Sequence, residues 1–243
     1  MRIKITISIL LTGGAIVATL TGFAANRAGN IVQTLTIRYE DTETENIQNL
    51  LIKTANEQAS EAEVFFAGIL NDLTDLAGYR ANLEQQSAVF VDGAYWDAET
   101  RLIQYPGGQY GNPASDIASI FIPSTIAVDE TILNELNTNA YLDFFAPNFL
   151  QAHPGVAAVY YISKTGSTTY YPNIDLAQNV PADFNVTKEI FYTIAAPESN
   201  PSRKPRWTST YQDPAGNGLI TTLSIPVYVN DTFLGVVGAD IKL

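Results

Sequence analysis

The chain has 243 residues, with 13 basic against 25 acidic side chains, a formal charge of −12 and no cysteine. That length is enough for one large domain or two small ones with a sizeable core, and an apolar fraction of 46% argues against disorder. The negative surface repels phosphate backbones and so argues against nucleic-acid binding. The lack of thiols removes disulfides, thiolate metal sites and thiol nucleophiles.

The N-terminus sets the compartment. Arg2 and Lys4 precede Ile5 to Ala25, a run of 21 residues without a charge. As a helix this run spans about 30 Å, the thickness of a hydrocarbon core. It is either a retained membrane anchor over residues 1–25 or a leader cleaved near Gly22-Phe23-Ala24. Signal-peptide cores usually run about 7–15 residues, which favours the anchor. The basic end stays in the cytoplasm. The chain beyond Asn26 is therefore expected outside the inner (cytoplasmic) membrane, facing the periplasm or the exterior.

Residues 26–87 predict a long stalk helix. Ile47, Leu51, Ala55, Ala59, Ala62, Phe66, Ile69, Leu73 and Leu76 recur at three- and four-residue steps, the pattern of one helical face. No proline occurs before Pro106, so only a break near Thr42 or Gly78 is expected. From Val89 to Pro123 turn signals dominate: Asp92-Gly93, Pro106-Gly107-Gly108 and Gly111-Asn112-Pro113. Ala94–Trp96 and Leu102–Tyr105 suggest short strands or loops. Asp129 to Phe149 returns to helical spacing, ended by Pro154-Gly155. Val156–Ser163, the turn Lys164–Ser167 and Thr168–Tyr171 predict a hairpin. A short helix is expected near Lys188–Ala196, then strands at Leu219–Val229 and Phe233–Lys242 joined at Asn230-Asp231. Hairpins make an antiparallel sheet that helices must cover, an α+β arrangement.

Catalytic patterns are missing from the sequence. His153 is the only histidine and precedes Pro154, no Gly-x-Ser-x-Gly elbow occurs, and no histidine pair can hold zinc. No metal, cofactor or enzymatic activity is expected. The residues suit binding better. Asp213-Pro214-Ala215-Gly216 is a turn that sets Trp207 and Tyr211 before a strand, and Asp240 lies near the end of the last one. Aromatic walls with one or two carboxylates hold a small cationic or amine-bearing ligand. The alternative is that both rings belong to the core and Asp213 caps its own turn.

The run Val159-Tyr160-Tyr161-Ile162-Ser163-Lys164-Thr165-Gly166, followed by Tyr170-Tyr171-Pro172, Asn200-Pro201, Trp207-Thr208, Tyr211-x-Asp213 and Gly235-Val236-Val237-Gly238-Ala239-Asp240-Ile241, resembles double-Cache sensor domains. These are extracytoplasmic, PAS-like input modules of bacterial chemoreceptors, histidine kinases and diguanylate cyclases. The resemblance implies a Cache/PAS-like module over residues 88–243, cut after the distal of two modules, in a homodimeric receptor whose output domain lies elsewhere. Amino-acid-sensing members resemble Tyr-x4-Arg-x-Trp-Tyr-x2-Ala, then a Tyr and a final Asp that holds the ligand amine. On this pattern Tyr192, Ala195, Tyr211 and Asp240 match. Phe184 replaces the first Tyr, Phe191 the Trp, and Glu189 the Arg that grips a carboxylate.

The expected function is a membrane-anchored sensor that binds a small molecule through Tyr192, Trp207, Tyr211, Asp213 and Asp240 and signals to an output domain. The alternative is a secreted periplasmic binding protein with a cleaved leader.

Overall fold

The computed structural model describes residues 42–90 and 95–243, with side chains from residue 50 onward in the first stretch. The anchor expected over residues 1–25 and the start of the expected stalk lie outside the described residues. Among the described residues no helix is long and apolar enough to cross a membrane. The chain divides into a unit of residues 1–68 and a unit of residues 69–243.

Helix α1 runs from Thr42 to Gln85. In the first unit its residues Leu50, Ile52 and Val64 are exposed, and Lys53 pairs with Glu57 one turn on at 3.8 Å. In the second unit Ile69, Leu73, Leu76, Ala77, Arg80 and Leu83 are buried, which continues the spacing expected from sequence. The break expected at Gly78 does not occur. An interior glycine costs a helix only about 1 kcal/mol, and buried anchors on both sides of it hold the backbone.

A one-turn 3-10 helix (Ser87–Val89) leads to α2 (Ala98–Arg101), whose N-cap Asp97 accepts from Glu99 N. β1 (Ile103–Gln104) and β2 (Tyr110–Gly111) form a small antiparallel pair. β3 follows at Ser119–Phe121.

The helix expected over Asp129–Phe149 is three pieces. Asp129 caps α3 (Glu130–Asn139), accepting from Ile132 N at 3.0 Å. A 3-10 segment covers Ala140–Phe144, and α4 covers Ala146–Ala152. Pro147 explains the division. It has no N–H to give to residue 143, and its ring clashes with that carbonyl in a continuous helix.

The hairpin β4 (Val156–Ser163) and β5 (Thr168–Tyr171) has the expected bounds, with Gly166 at φ 93° in its turn. α5 (Leu176–Asn179) lies in a segment expected to be looped through Pro181, and a 3-10 turn (Val186–Lys188) and α6 (Ile190–Thr193) stand where a single short helix was expected near Lys188–Ala196. β6 (Arg206–Trp207) and β7 (Tyr211–Gln212) precede the long hairpin β8 (Leu219–Val229) and β9 (Thr232–Lys242). Asn230, at φ 54°, supplies the left-handed residue that its two-residue connection needs.

The main sheet has seven strands in the order β3-β5-β4-β9-β8-β6, with β7 also on β8, and every pairing is antiparallel. Its central strands are buried on both faces. The chain is thus α+β, as the order of elements implies. One face of β4 contributes Ala158, Tyr160 and Ile162 to a cluster with Tyr170, Phe191 and Val236. The other face carries Tyr161, whose ring lies beneath the Arg80 guanidinium of α1.

Candidate functional site

Side chains alternate along a strand, so the pairing register decides which of them meet. The β4–β5 hairpin sets Tyr160 opposite Tyr170, and the rings stack with centroids 5.8 Å apart and planes 4° from parallel. β9 sets Gly238 against Tyr160 from the other side. A Cβ on Gly238 would lie 2.3 Å from the Tyr160 ring, so only glycine lets that ring lie flat across the strand. Phe191, on α6, meets Tyr160 edge-on at 5.8 Å and Tyr211 at 6.0 Å.

The Tyr160, Tyr170 and Phe191 rings border a small, half-open recess, whose lining also includes Asp213 and Asp240. Among the described residues the lining contains two carboxylates and no Arg, Lys or His.

Asp240 is 3% exposed. Its Oδ1 accepts from the Tyr160 hydroxyl at 3.0 Å and from Thr222 Oγ1 at 2.6 Å. Because Thr222 donates there, its Oγ1 accepts from the Tyr211 hydroxyl, 2.6 Å away. Tyr211, Thr222 and Asp240 thus form a relay with one direction of donation. Oδ2 takes no hydrogen bond among the described residues. Burial pushes the Asp240 carboxyl up to about 7; the Thr222 and Tyr160 hydrogen bonds act against that rise, and the nearby Asp213 charge adds to it. Burial and the Asp240 charge raise the Tyr160, Tyr170 and Tyr211 hydroxyls, so all three remain protonated donors at neutral pH.

Asp213 caps its own turn, as the simpler reading of the sequence had it. Oδ1 accepts from Ala215 N at 2.9 Å, and Oδ2 from Asn217 N and Nδ2 at 3.1 and 2.6 Å. It also lines the recess, where its charge faces Asp240.

The remaining predicted residues lie apart from this lining. Tyr192 follows Phe191 on α6, is buried, and packs edge-on against Phe233 at 6.2 Å. Trp207 sits half-buried on β6 opposite Leu223. Tyr211 reaches the site through Thr222 and Phe191. Glu189 forms the N-cap residue of α6 and is not in the lining. Arg203 stacks 4.2 Å over Tyr228 and bonds Asp231, and Arg206 Nε lies 3.4 Å from Asn200 Oδ1. Neither arginine stands in for the one replaced by Glu189. Sequence reasoning missed Tyr160, Tyr170 and Thr222 as site residues. The first two had a usable signal, since the turn at residues 164–167 already sets them opposite each other. His153, expected only to mark a turn, ends α4 and also bonds Asp72 Oδ2 at 2.7 Å.

An antiparallel sheet with helices and a small recess walled by aromatic rings has the build of a small-molecule sensory module. Residues 128–243 match the family described as methyl-accepting chemotaxis protein-like, first PDC sensor domain. The double-Cache resemblance, carried by residues from Val159 onward, falls within that segment. No curated protein matches the chain.

Among solved structures, the ligand-binding domain of the Pseudomonas aeruginosa amino-acid chemoreceptor PctC, in complex with GABA, is 24% identical over 43% of this chain and 45% of its own, at a TM-score of 0.35. That of the Pseudomonas fluorescens chemoreceptor CtaA, in complex with L-valine, is 26% identical over 38% and 39%, at 0.32. The sensory domain of Campylobacter jejuni Tlp3, with isoleucine bound, is 15% identical over 74% and 62%, at 0.35. The chain spans less than two thirds of the length of each of these domains.

Proposed function

We propose that this chain is the extracytoplasmic input domain of a membrane-anchored receptor and that its recess binds a small organic amine. The observation that carries the reading is Asp240, a buried residue whose Oδ2 takes no hydrogen bond from the described residues, in a recess with aromatic walls. An ammonium group placed there takes the open lone pairs and lies against the faces of Tyr160, Tyr170 and Phe191. A desolvated cation–π contact is worth about 2 kcal/mol. No cationic side chain lines the recess, so a ligand carboxylate would have no partner and would face Asp213. Carboxylate-free amines are therefore favoured over α-amino acids. The proton sets the competition: an amine binds the ionised form of Asp240, and at neutral pH a large share of Asp240 is protonated. Binding closes the recess and biases a helix arrangement, carried to an output domain across the membrane by an N-terminal anchor in a dimer. The module binds and does no chemistry.

The test is isothermal calorimetry with n-propylamine, benzylamine, L-valine and propionate on the parent chain, Asp240→Ala and Tyr211→Ala. Amines are expected to bind and L-valine and propionate are not. Asp240→Ala removes the charge-assisted hydrogen bond to the ammonium, worth about 1.5–3 kcal/mol, and is expected to weaken amine binding about tenfold or more. Equal binding by the parent and Asp240→Ala would remove the assignment.

A further inference from the structure

The face of the sheet opposite the recess carries buried charge that ligand binding does not use. Arg80, near the C-terminal end of α1, is 1% exposed. Its Nη1 donates to Glu84 Oε2 at 3.0 Å, one turn further along the same helix, and its Cζ lies 4.7 Å over the Tyr161 ring. Its Nε has no hydrogen-bond partner. A second carboxylate stands within its field. Glu135 of α3 accepts from Ser163 Oγ at 2.9 Å, Ser167 Oγ at 2.7 Å and Thr165 Oγ1 at 3.4 Å, and the Arg80 charge acts on it.

As a fixed staple this arrangement is poor. A buried donor without a partner is destabilising, and Glu84, which is 35% exposed, compensates the guanidinium only from the edge of solvent. Tyr161 under Arg80 and Ser163 on Glu135 are two residues apart on one face of β4, which sets a second carboxylate near the guanidinium besides Glu84. Pairing with Glu84 stays inside α1. Pairing with Glu135 would tie α1 to α3 and, through the three hydroxyls, to the turn of the β4–β5 hairpin.

β4 lies between this group and the recess. Its successive side chains point to opposite faces. Tyr160 and Ile162 line the recess, while Tyr161 meets Arg80 and Ser163 meets Glu135. Tyr160 is bonded to Asp240 on β9, and Tyr161 donates to Leu234 O on that same strand at 3.0 Å. A displacement of Tyr160 therefore moves the neighbouring residue on which the guanidinium rests.

We propose that Arg80 is the coupling residue of this module: filling the recess shifts β4, moves the Tyr161 ring under the guanidinium, and exchanges the Arg80 pairing between Glu84 and Glu135, so that occupancy is read out at α1. The ligand half of this statement rests on the function proposed above. Two discrete partners make the element bistable, which is what a population shift requires.

The test needs no ligand in its first arm. Amide hydrogen exchange over residues 78–85 is followed in the full chain at neutral pH, with Asp240→Asn as the perturbation of the recess, in the parent and in an Arg80→Met background. Asp240→Asn is expected to change exchange there about fivefold or more beyond its change in the rest of residues 69–243 when Arg80 is present, and to leave residues 78–85 changed no more than that rest in Arg80→Met. Glu135→Gln, which keeps the shape but removes the charge and one of the two accepting oxygens, is expected to abolish the response in the same way and serves if Arg80→Met fails to fold. An equal response in every background, or none in the parent, overturns the coupling. Calorimetry with n-propylamine separates the two claims. Coupling without amine binding removes the ligand reading alone, and amine binding without coupling removes the relay alone.

Discussion

Replacing Asp240 by Asn should produce a more stable protein that no longer responds to amines. Asp240 Oδ1 accepts from Tyr160 and Thr222, and an Asn Oδ1 can accept the same two bonds. The amide nitrogen then takes the place of Oδ2 toward the recess. What changes is the cost of the charge. Burial moves this carboxyl from 3.8 to about 7, a displacement that corresponds to about 4 kcal/mol. Its sign follows from proton counting. Between pH 3.8 and 7 the folded protein holds a proton that the unfolded chain has released, so stability falls as pH rises through that window and levels off above it. Asn carries no such penalty. Urea unfolding of both proteins, extrapolated linearly to water, should show similar stabilities near pH 4 and an advantage of about 2–4 kcal/mol for Asp240→Asn near pH 8. Glu135 is also raised by burial, but it is common to both proteins and cancels in the difference. A stability difference that stays constant from pH 4 to pH 8 would refute the reasoning.

Two further outcomes follow from the same geometry. Amine affinity should fall about tenfold per pH unit below the Asp240 value of about 7 and be nearly flat above it, because only the ionised carboxylate competes for the ammonium; a pH series of titrations with n-propylamine checks this, and a flat profile would point to another counter-charge. Gly238→Ala should place a methyl 2.3 Å from the Tyr160 ring, displacing the ring that donates to Asp240. Overpacking of this kind costs about 1–3 kcal/mol, and amine binding should weaken with it; chemical denaturation and calorimetry on the same sample measure both.

Much of the fold was legible because its signals are local. The turn at residues 164–167 and the Asn230-Asp231 connection define both hairpins to within a residue or two, Asp129 announces the start of α3, and the three- and four-residue spacing from Ile69 to Leu76 marks the buried stripe of α1. Each depends on neighbours a few positions away. Where local reasoning failed, another local feature had been overlooked or overweighted. Pro147 divides the helix expected through Phe149, and Gly78 is too weak a breaker to divide α1.

The site was legible in kind and not in membership. Asp213 in a glycine turn and Asp240 near a strand end were already expected to share a site, and both line the recess. Which side chains wall it depends on a register between β4 and β9, residues about eighty positions apart, and on the packing of α6. That packing turns Phe191 toward the recess and sets its neighbour Tyr192 against Phe233. The open oxygen of Asp240, its displaced ionisation and the burial of Arg80 arise only when distant segments exclude water together. Desolvation belongs to the assembled structure, and no residue type or spacing carries it.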